Sequence, residues 1–479
     1  MTMTHFFPHS IAIVGGGITG LAAAYSLQET ARSLGLPLRC TLIESSPSLG
    51  GKILTEHIDG FTVEGGPDSF IRQKPWATRL IQQLGIGSDL IGTDTRHSHT
   101  FVLNRGRLAP LPEGVMLIVP TRILPFATSS LISWPGKIRM GMDLFIPPRP
   151  QDGDESVGDF VRRRLGSEAL EKIAEPLMSG IHVSDPDQQS LLGTFPRFRE
   201  IELKHGSLIR GMLAQRKATP AASRPDAAVP TTAFLSLQGG MSQLVQSLQS
   251  ALTGVDLLTG CPAVSLDRLP AGYRLDLANG SSIEADAVIL ATPAFVSAGL
   301  LESHLPALAQ ILASIRYVST VTISLGFHRR AVSHPLNGYG FVIPRREGRR
   351  INACTWSSIK FPPRAPQDSV LLRCFGGGPG REDFVDLEDA EILDIVRSEL
   401  ADLMGLQAEP VLARIYRWRK ANPQYDVGHL ERVRQIAALS AGCPGLFLSG
   451  SAYEGVGVPD CIHQGQQAAG KVVDYLYPA

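Results

Sequence analysis

Three glycines at 15, 17 and 20 separate a short apolar run from a segment of helical spacing, and Glu44 follows 24 residues after Gly20. Each has a physical task. Gly15 permits a tight turn out of a strand, Gly17 has no side chain to keep a pyrophosphate off the backbone, and Gly20 lets helix and strand pack closely. Gly16, Ile18 and Thr19 complete the turn, and a helix starting near Ile18 offers free N–H groups and a positive dipole end to the phosphates. Glu44, at a strand end, is placed to accept hydrogen bonds from the ribose hydroxyls. The turn alone does not distinguish one dinucleotide from another. Three more glycine-bearing segments do: Leu49-Gly50-Gly51-Lys52, Val63 to Phe70 with Gly65-Gly66-Pro67-Asp68-Ser69, and Tyr453 to Asp460 with Gly455-Val456-Gly457-Val458. Together they suit a cofactor longer than NAD lying extended through the protein, which is FAD.

The elements that must position this site are legible in outline. Ile11-Ala12-Ile13-Val14 and Cys40-Thr41-Leu42-Ile43 read as short buried strands, and Leu21 to Leu34 between them has helical spacing. This is a β-α-β unit, the building block of a parallel sheet with a right-handed crossover. The chain is therefore expected to be α/β: a discontinuous Rossmann-type FAD-binding domain, a mixed-sheet substrate domain and a mostly helical subdomain. The expected divisions are 1–104 (FAD-binding, with some substrate-domain segments), 105–215 (helical), 216–232 (flexible loop, rich in Ala, Pro, Ser and Thr), 233–300 (FAD-binding), 301–415 (substrate-binding) and 416–479 (FAD-binding, C-terminal part).

The chain has 479 residues, 43% apolar and 19% charged, with Lys+Arg equal to Asp+Glu. That balance gives no basic field for nucleic acid. Six scattered cysteines form no C-x-x-C pair and no cluster at metal spacing, so no metal is expected and the thiols read as reduced and buried. No apolar run reaches the roughly 20 residues needed to span a bilayer, and the N-terminus lacks the pattern of a signal peptide. The expected location is cytoplasmic, with Leu111 to Ile146, rich in large apolar residues, open to peripheral membrane contact.

Beyond these motifs the chain carries IAIVGGGITGLAAAYSL (11–27), GGKI (50–53), GGPDSF (65–70), GDFVRRRLG (158–166), EPLMSGI (175–181), GTFP (193–196), LQGGMSQLV (237–245), GYGFVIP (338–344), ACTWSS (353–358), PQYDVGH (423–429) and YEGVGVPDCI (453–462). With these it resembles the flavin monoamine oxidase and porphyrinogen oxidase group, most closely the oxygen-dependent coproporphyrinogen III and protoporphyrinogen oxidases of bacteria. The resemblance implies that Gly15, Gly17, Gly20, Glu44, Ser45 and Lys52 contact the ADP half of FAD and that Gly66, Pro67, Asp68 and Ser69 lie near the flavin. It makes Val264 a backbone contact to the adenine, and places Trp418 with Val456, Gly457 and Val458 at the isoalloxazine ring. A substrate cavity lined by Tyr339, Gly340, Val342 and Trp356, with Gly180 on a neighbouring segment, would suit a flat tetrapyrrole, which needs apolar and aromatic walls.

The same resemblance implies hydride removal from a meso carbon to flavin N5, reoxidation by oxygen with release of hydrogen peroxide, and repetition to a six-electron aromatisation in heme biosynthesis. Asp68 is the ionisable candidate beside the reacting carbon. Relatives that use protoporphyrinogen carry an Arg where Thr100 stands here, so coproporphyrinogen III is the expected substrate and protoporphyrinogen IX the alternative. Arg72, Lys74, His97, His99, Arg105 and Arg210 are candidates by composition for its propionates. The implied partners are the porphyrinogen, molecular oxygen and a downstream ferrochelatase, with the chain a monomer or a homodimer. A flavin amine oxidase, a carotenoid desaturase and a non-catalytic flavin or porphyrin carrier are the competing readings. Ser449-Gly450-Ser451 lacks the acid that many flavoproteins place there for the ribityl chain.

Overall fold

Short runs that are apolar on both faces become central parallel strands, because helices can then cover each face. In the computed structural model, which describes residues 8–478 apart from 113–114, 117, 121, 151–152 and 219–228, this is the fate of 11–14 and 40–43. Met1–Phe7 and most of the Lys217–Thr232 segment lie outside the described residues. His9–Val14 sits at the centre of a five-stranded sheet in the order Val255–Leu258, Leu38–Ile43, His9–Val14, Ala287–Leu290, Leu446–Leu448, every pair parallel. Its strands come from widely separated parts of the chain, so this sheet is assembled from discontinuous segments. The first helix, Ile18–Leu34, packs against the last, Val458–Leu476, at a point with no room for a side chain: a Cβ on Gly465 would stand 2.3 Å from the Thr19 carbonyl oxygen.

A second sheet has seven strands in the order Leu412–Pro423, Tyr317–His328, Ser369–Gly377, Ile351–Trp356, Gly340–Val342, Thr100–Asn104, Arg107–Pro110. All its pairs are antiparallel except Gly340–Val342 with Thr100–Asn104. The outermost hairpin turns through Arg105 (φ 54°) and Gly106 (φ 74°), the two positive φ values that a two-residue hairpin turn requires. The segment expected to be mostly helical from 105 thus begins with a strand.

Side chains alternate across a strand, and this parity divides the second sheet into two faces. Ile323, Leu325, Phe341, Cys354, Trp356, Leu372 and Cys374 form one apolar core with Ile392, Val396 and Leu400 of helix Asp389–Met404. Thr322, Ser324 and Arg373 point the other way, and Thr322 Oγ1 donates to the Gly65 carbonyl at 2.8 Å. Helices between Ile123 and Ala218 build a further core around Phe160, Phe198, Leu170 and Ile173. Beneath it, Arg164 is fully buried and donates through Nε to Asp143 at 2.6 Å. Among the described residues no helix is long and apolar enough to cross a membrane.

Candidate cofactor and substrate site

At the glycine turn the three positions differ as their tasks demand. A Cβ on Gly15, whose φ is 108°, would meet the Ala291 carbonyl oxygen at 2.8 Å, and one on Gly20 would stand 1.9 Å from the Gly15 carbonyl oxygen. A Cβ on Gly17 would meet nothing within 4 Å. Gly15 and Gly20 are therefore glycines for the fold, whereas Gly17 opens onto space at the start of a helix whose cap makes no side-chain hydrogen bond. That cradle fits a pyrophosphate approached by backbone N–H groups. The buried Glu44 carboxylate accepts from the Gly16 N–H at 2.7 Å, the Ser46 N–H at 2.8 Å and Ser45 Oγ at 3.1 Å. Ser45 thus steadies Glu44, which keeps one lone pair, on Oε2, for a hydroxyl donor.

The pair Gly50-Gly51 lies against this turn, with the Gly50 N–H donating to the Gly16 carbonyl at 2.9 Å. Lys52, expected at the ADP half, donates through its ammonium to the Ala421 carbonyl and lies within electrostatic reach of Cys461 in the last helix. Burial pushes its pKa down. Val264, expected at the adenine, is 56% exposed where the pairing register shifts between Ala263 and Ser265. The backbone that meets the Glu44 strand end is that of Cys261, whose N–H donates to the Glu44 carbonyl at 3.0 Å.

Residues 64–69 form the second wall. The Gly65 carbonyl accepts from Thr322 Oγ1 at 2.8 Å, Trp418 Nε1 at 3.0 Å and Arg373 at 3.2 Å, and Arg373 also donates to the Gly66 carbonyl. A Cβ on Gly66 would lie 1.7 Å from the Lys52 carbonyl oxygen, so the two walls touch through backbone. Beyond Pro67, the Asp68 carboxylate accepts from Lys360 Nζ at 2.9 Å and Ser69 Oγ at 2.7 Å, and its carbonyl accepts from Ser236 Oγ at 2.7 Å. Burial pushes the Asp68 pKa up, but Lys360, Arg373 and Ser69 outweigh it and hold the carboxyl well below the usual carboxylate range. An acid so held is an anion at neutral pH and a poor proton acceptor.

The third wall is the start of Val458–Leu476. Its cap is Gly457, with Val456 before it and no side chain on the first amides, so the positive end of a 19-residue helix is open to negative charge. Gln464 donates to the Glu454 and Gly455 carbonyls at 3.1 and 3.2 Å, and Tyr425 accepts from the Gly455 N–H at 2.8 Å. Asp460, in the first turn, pairs with Lys74 at 2.7 Å.

The substrate candidates divide by face. Thr100, Gly340 and Val342 fall on one side of the second sheet, the side opposite Phe341 and Cys354, with Thr100 paired to Gly340. Val342 packs against the helical core. Gly180 lies in helix Glu175–His182 beside this region. Trp356 does not belong with them. It is fully buried in the opposite core, 4.9 Å from the His334 ring and 5.7 Å from Phe101, because its parity turns it toward helix Asp389–Met404. Tyr339 precedes the strand and donates through its hydroxyl to the Asp94 carbonyl at 2.7 Å. Among the candidate cations, Lys74 alone pairs with the last helix, through Asp460, and it also acts electrostatically on His182, whose pKa burial and Lys74 push down to about 4. Arg72, His97, His99, Arg105 and Arg210 are exposed.

Lys360, Arg373, Glu64, Thr322, Tyr425 and Gln464 were not singled out from the sequence. Glu64 and Tyr425 lie inside motifs that were, but nothing local marks Lys360 or Arg373, whose partners are 292 and 307 or more residues away. Among the described residues no group of three or more His, Cys, Asp or Glu is placed to hold a metal.

Compared with known proteins, residues 18–473 match the family model described as flavin containing amine oxidoreductase. The chain is 40% identical over 469 residues to the coproporphyrinogen III oxidase of Bacillus subtilis (strain 168), covering 98% of each chain. It is 36% identical over 478 residues to that of Staphylococcus aureus (strain NCTC 8325 / PS 47), covering 98% of this chain and 99% of the relative. Among solved structures, one named for a protoporphyrinogen oxidase of Exiguobacterium sp. 255-15 superposes with a TM-score of 0.86 at 35% identity, covering 97% of this chain and 98% of that one.

Proposed function

Since this chain belongs to the flavin-containing amine oxidoreductase family, we propose that it is an FAD- and oxygen-dependent oxidase that converts coproporphyrinogen III to coproporphyrin III in heme biosynthesis. The observation that carries the reading is similarity at 40% and 36% identity, end to end, to two proteins of that activity. Bound FAD would supply the redox chemistry, a two-electron acceptor that oxygen can reoxidise with release of hydrogen peroxide.

The protein supplies position and electrostatics. The Gly17 cradle and Glu44 would hold the ADP half. The open N-terminus capped by Gly457 favours negative charge beside Val456 and Val458. Asp68, held as an anion by Lys360, is a positioning residue that anchors the Gly66–Ser69 turn. Thr100, Gly340 and Val342, with the helix carrying Gly180, offer one wall for a flat ring system, and Lys74 is the cation we retain for a propionate. A ferrochelatase is the downstream consumer that this reading names. Six cysteines, all buried and unpaired, support a reducing compartment such as the cytoplasm.

A second reading, protoporphyrinogen IX as substrate, is favoured by the name of the Exiguobacterium relative. The test of the activity is direct: FAD-loaded protein in air should turn coproporphyrinogen III into a fluorescent porphyrin with one peroxide released per oxygen consumed. Peroxide release from amines with no porphyrin formed would move the assignment to an amine oxidase.

A further inference from the structure

An oxidation that takes a hydride from carbon also sets a proton free, and something must receive it. Asp68, held as an anion by Lys360, Arg373 and Ser69, is a poor acceptor. The helix Glu175–His182 carries a better one. It is entered through a π turn at Leu170–Ala174, an irregularity that recurs at functional sites, and it packs against the strands Gly340–Val342 and Ile351–Trp356 of the second sheet. Its last residue is His182. The next, Val183, has φ 48°, a strained value for a β-branched residue, and its carbonyl accepts from Gln424 Nε2 at 3.3 Å. Such strain clusters at active sites, and here it fixes the chain direction directly beside the imidazole.

The His182 ring stands edge-on to Phe195, 5.2 Å between centroids, and among the described residues neither of its nitrogens is hydrogen-bonded to the protein. The charged group that acts on it is Lys74, whose ammonium is bound to both oxygens of Asp460 at 2.7 Å, in the first turn of the last helix. His182 is thereby tied both to the wall that carries Gly340 and Val342 and to the helix end assigned to the flavin. Neighbouring charges are turned elsewhere: Glu175 and Asp185 to Arg345, Glu171 to Arg346, and Lys172 to Glu168. The two strands packed on the helix bring no ionisable side chain except the buried Cys354. Burial and Lys74 push the His182 pKa down to about 4, so at neutral pH the imidazole is uncharged and one nitrogen is free to accept.

We propose that His182 is the proton acceptor of the reaction, taking the pyrrole N–H proton that each hydride loss sets free and passing it to water. The assignment rests on the porphyrinogen reading above. When a meso C–H bond breaks and both its electrons leave with the hydride, the flanking pyrroles carry a positive charge. That charge is discharged when a pyrrole N–H bond breaks, its electron pair staying on the ring and its proton going to the imidazole. The resulting imidazolium is disfavoured beside Lys74, which returns His182 to the neutral form before the next step. The test mixes FAD-loaded wild type and His182→Ala with coproporphyrinogen III without oxygen and follows bleaching of the flavin band, with binding of coproporphyrin III measured in parallel. The variant should bleach about a hundredfold more slowly and bind the porphyrin as tightly as the wild type. Added imidazole should restore its rate, the more so as pH rises through about 6.5, where imidazole loses its proton, whereas the wild-type rate stays flat over that range. A wild type that coproporphyrinogen III does not bleach overturns the oxidase reading and this proposal with it. A bleached wild type overturns the proposal alone if the variant is just as fast, if its slowing is matched by weakened porphyrin binding, or if imidazole does not rescue it. Should His182→Ala not retain FAD, His182→Gln decides by the same rate loss and the same porphyrin binding.

Discussion

Replacing Lys360 by Met removes an ammonium of nearly the same length and shape as its substitute and leaves Asp68 with Ser69 and the field of Arg373. The lost contact is a 2.9 Å pair whose side chains are 14% and 20% exposed. Breaking a buried pair costs about 3–5 kcal/mol. Partial exposure and the remaining Arg373 put this one near the lower end, about 3 kcal/mol. At roughly 2.1 cal/mol/K per residue, 479 residues give an unfolding entropy of about 1 kcal/mol/K, so Tm should fall by about 3 °C at pH 7. The pH dependence has a definite sign. The folded pKa of Asp68 is depressed, so its stabilisation is fully present above the unfolded value of about 3.8 and is lost as pH falls toward the folded one. In the variant the folded pKa moves up, because the Lys360 charge and hydrogen bond that lower it are gone. The Tm deficit of Lys360→Met should therefore be widest near neutrality and shrink on acidification, starting before the wild type begins to lose stability. Flavin release followed by fluorescence during melting reads both effects, and Lys360→Arg should restore most of the loss. A deficit below 1 °C, or one that does not change with pH, would refute the role given to this pair.

The glycine turn makes a paired prediction: Gly17→Ala should fold with a near-native Tm as apoprotein yet bind FAD at least tenfold more weakly, whereas Gly20→Ala should fold poorly because its Cβ would stand 1.9 Å from the Gly15 oxygen. Equilibrium dialysis with FAD and apoprotein melting separate the two. Trp356→Phe should lower stability by about 1–2 kcal/mol but leave kcat/KM within about twofold, since the indole lies in the far core with its N–H unpartnered; a kcat/KM loss above tenfold would return it to the substrate wall. Thr100→Arg should shift the ratio of kcat/KM for protoporphyrinogen IX over coproporphyrinogen III upward by about tenfold, the size of one charge-assisted hydrogen bond, as measured on the two substrates in parallel.

What the sequence disclosed was what lies contiguous within it. The strand, the Gly15–Gly20 turn, the first helix and Glu44 occupy 36 consecutive residues, so spacing alone assembles them. The Asp68 to Lys360 pair and the clamp of Arg373 on Gly65 and Gly66 join residues about 300 positions apart, and neither Lys360 nor Arg373 sits in a pattern that marks it. The placing of Trp356 turns on strand parity. Val342 and Trp356 both lie in motifs of the second sheet, but which face receives helix Asp389–Met404 depends on packing that no local period encodes. The surroundings of Val264 and Lys52 were hidden for a related reason: a register shift leaves the Val264 side chain exposed, and the Lys52 ammonium reaches the carbonyl of Ala421, 369 residues away. The outer hairpin was hidden by Arg105 at a positive φ, a conformation that its residue type does not advertise.

An oxygen-dependent oxidase whose substrate is coproporphyrinogen III stands or falls on kcat/KM for coproporphyrinogen III and protoporphyrinogen IX, measured side by side on the FAD-loaded protein in air. Porphyrin should form from both, with coproporphyrinogen III favoured by at least tenfold. A preference for protoporphyrinogen IX would contradict the substrate assignment, and no porphyrin from either would contradict the function itself.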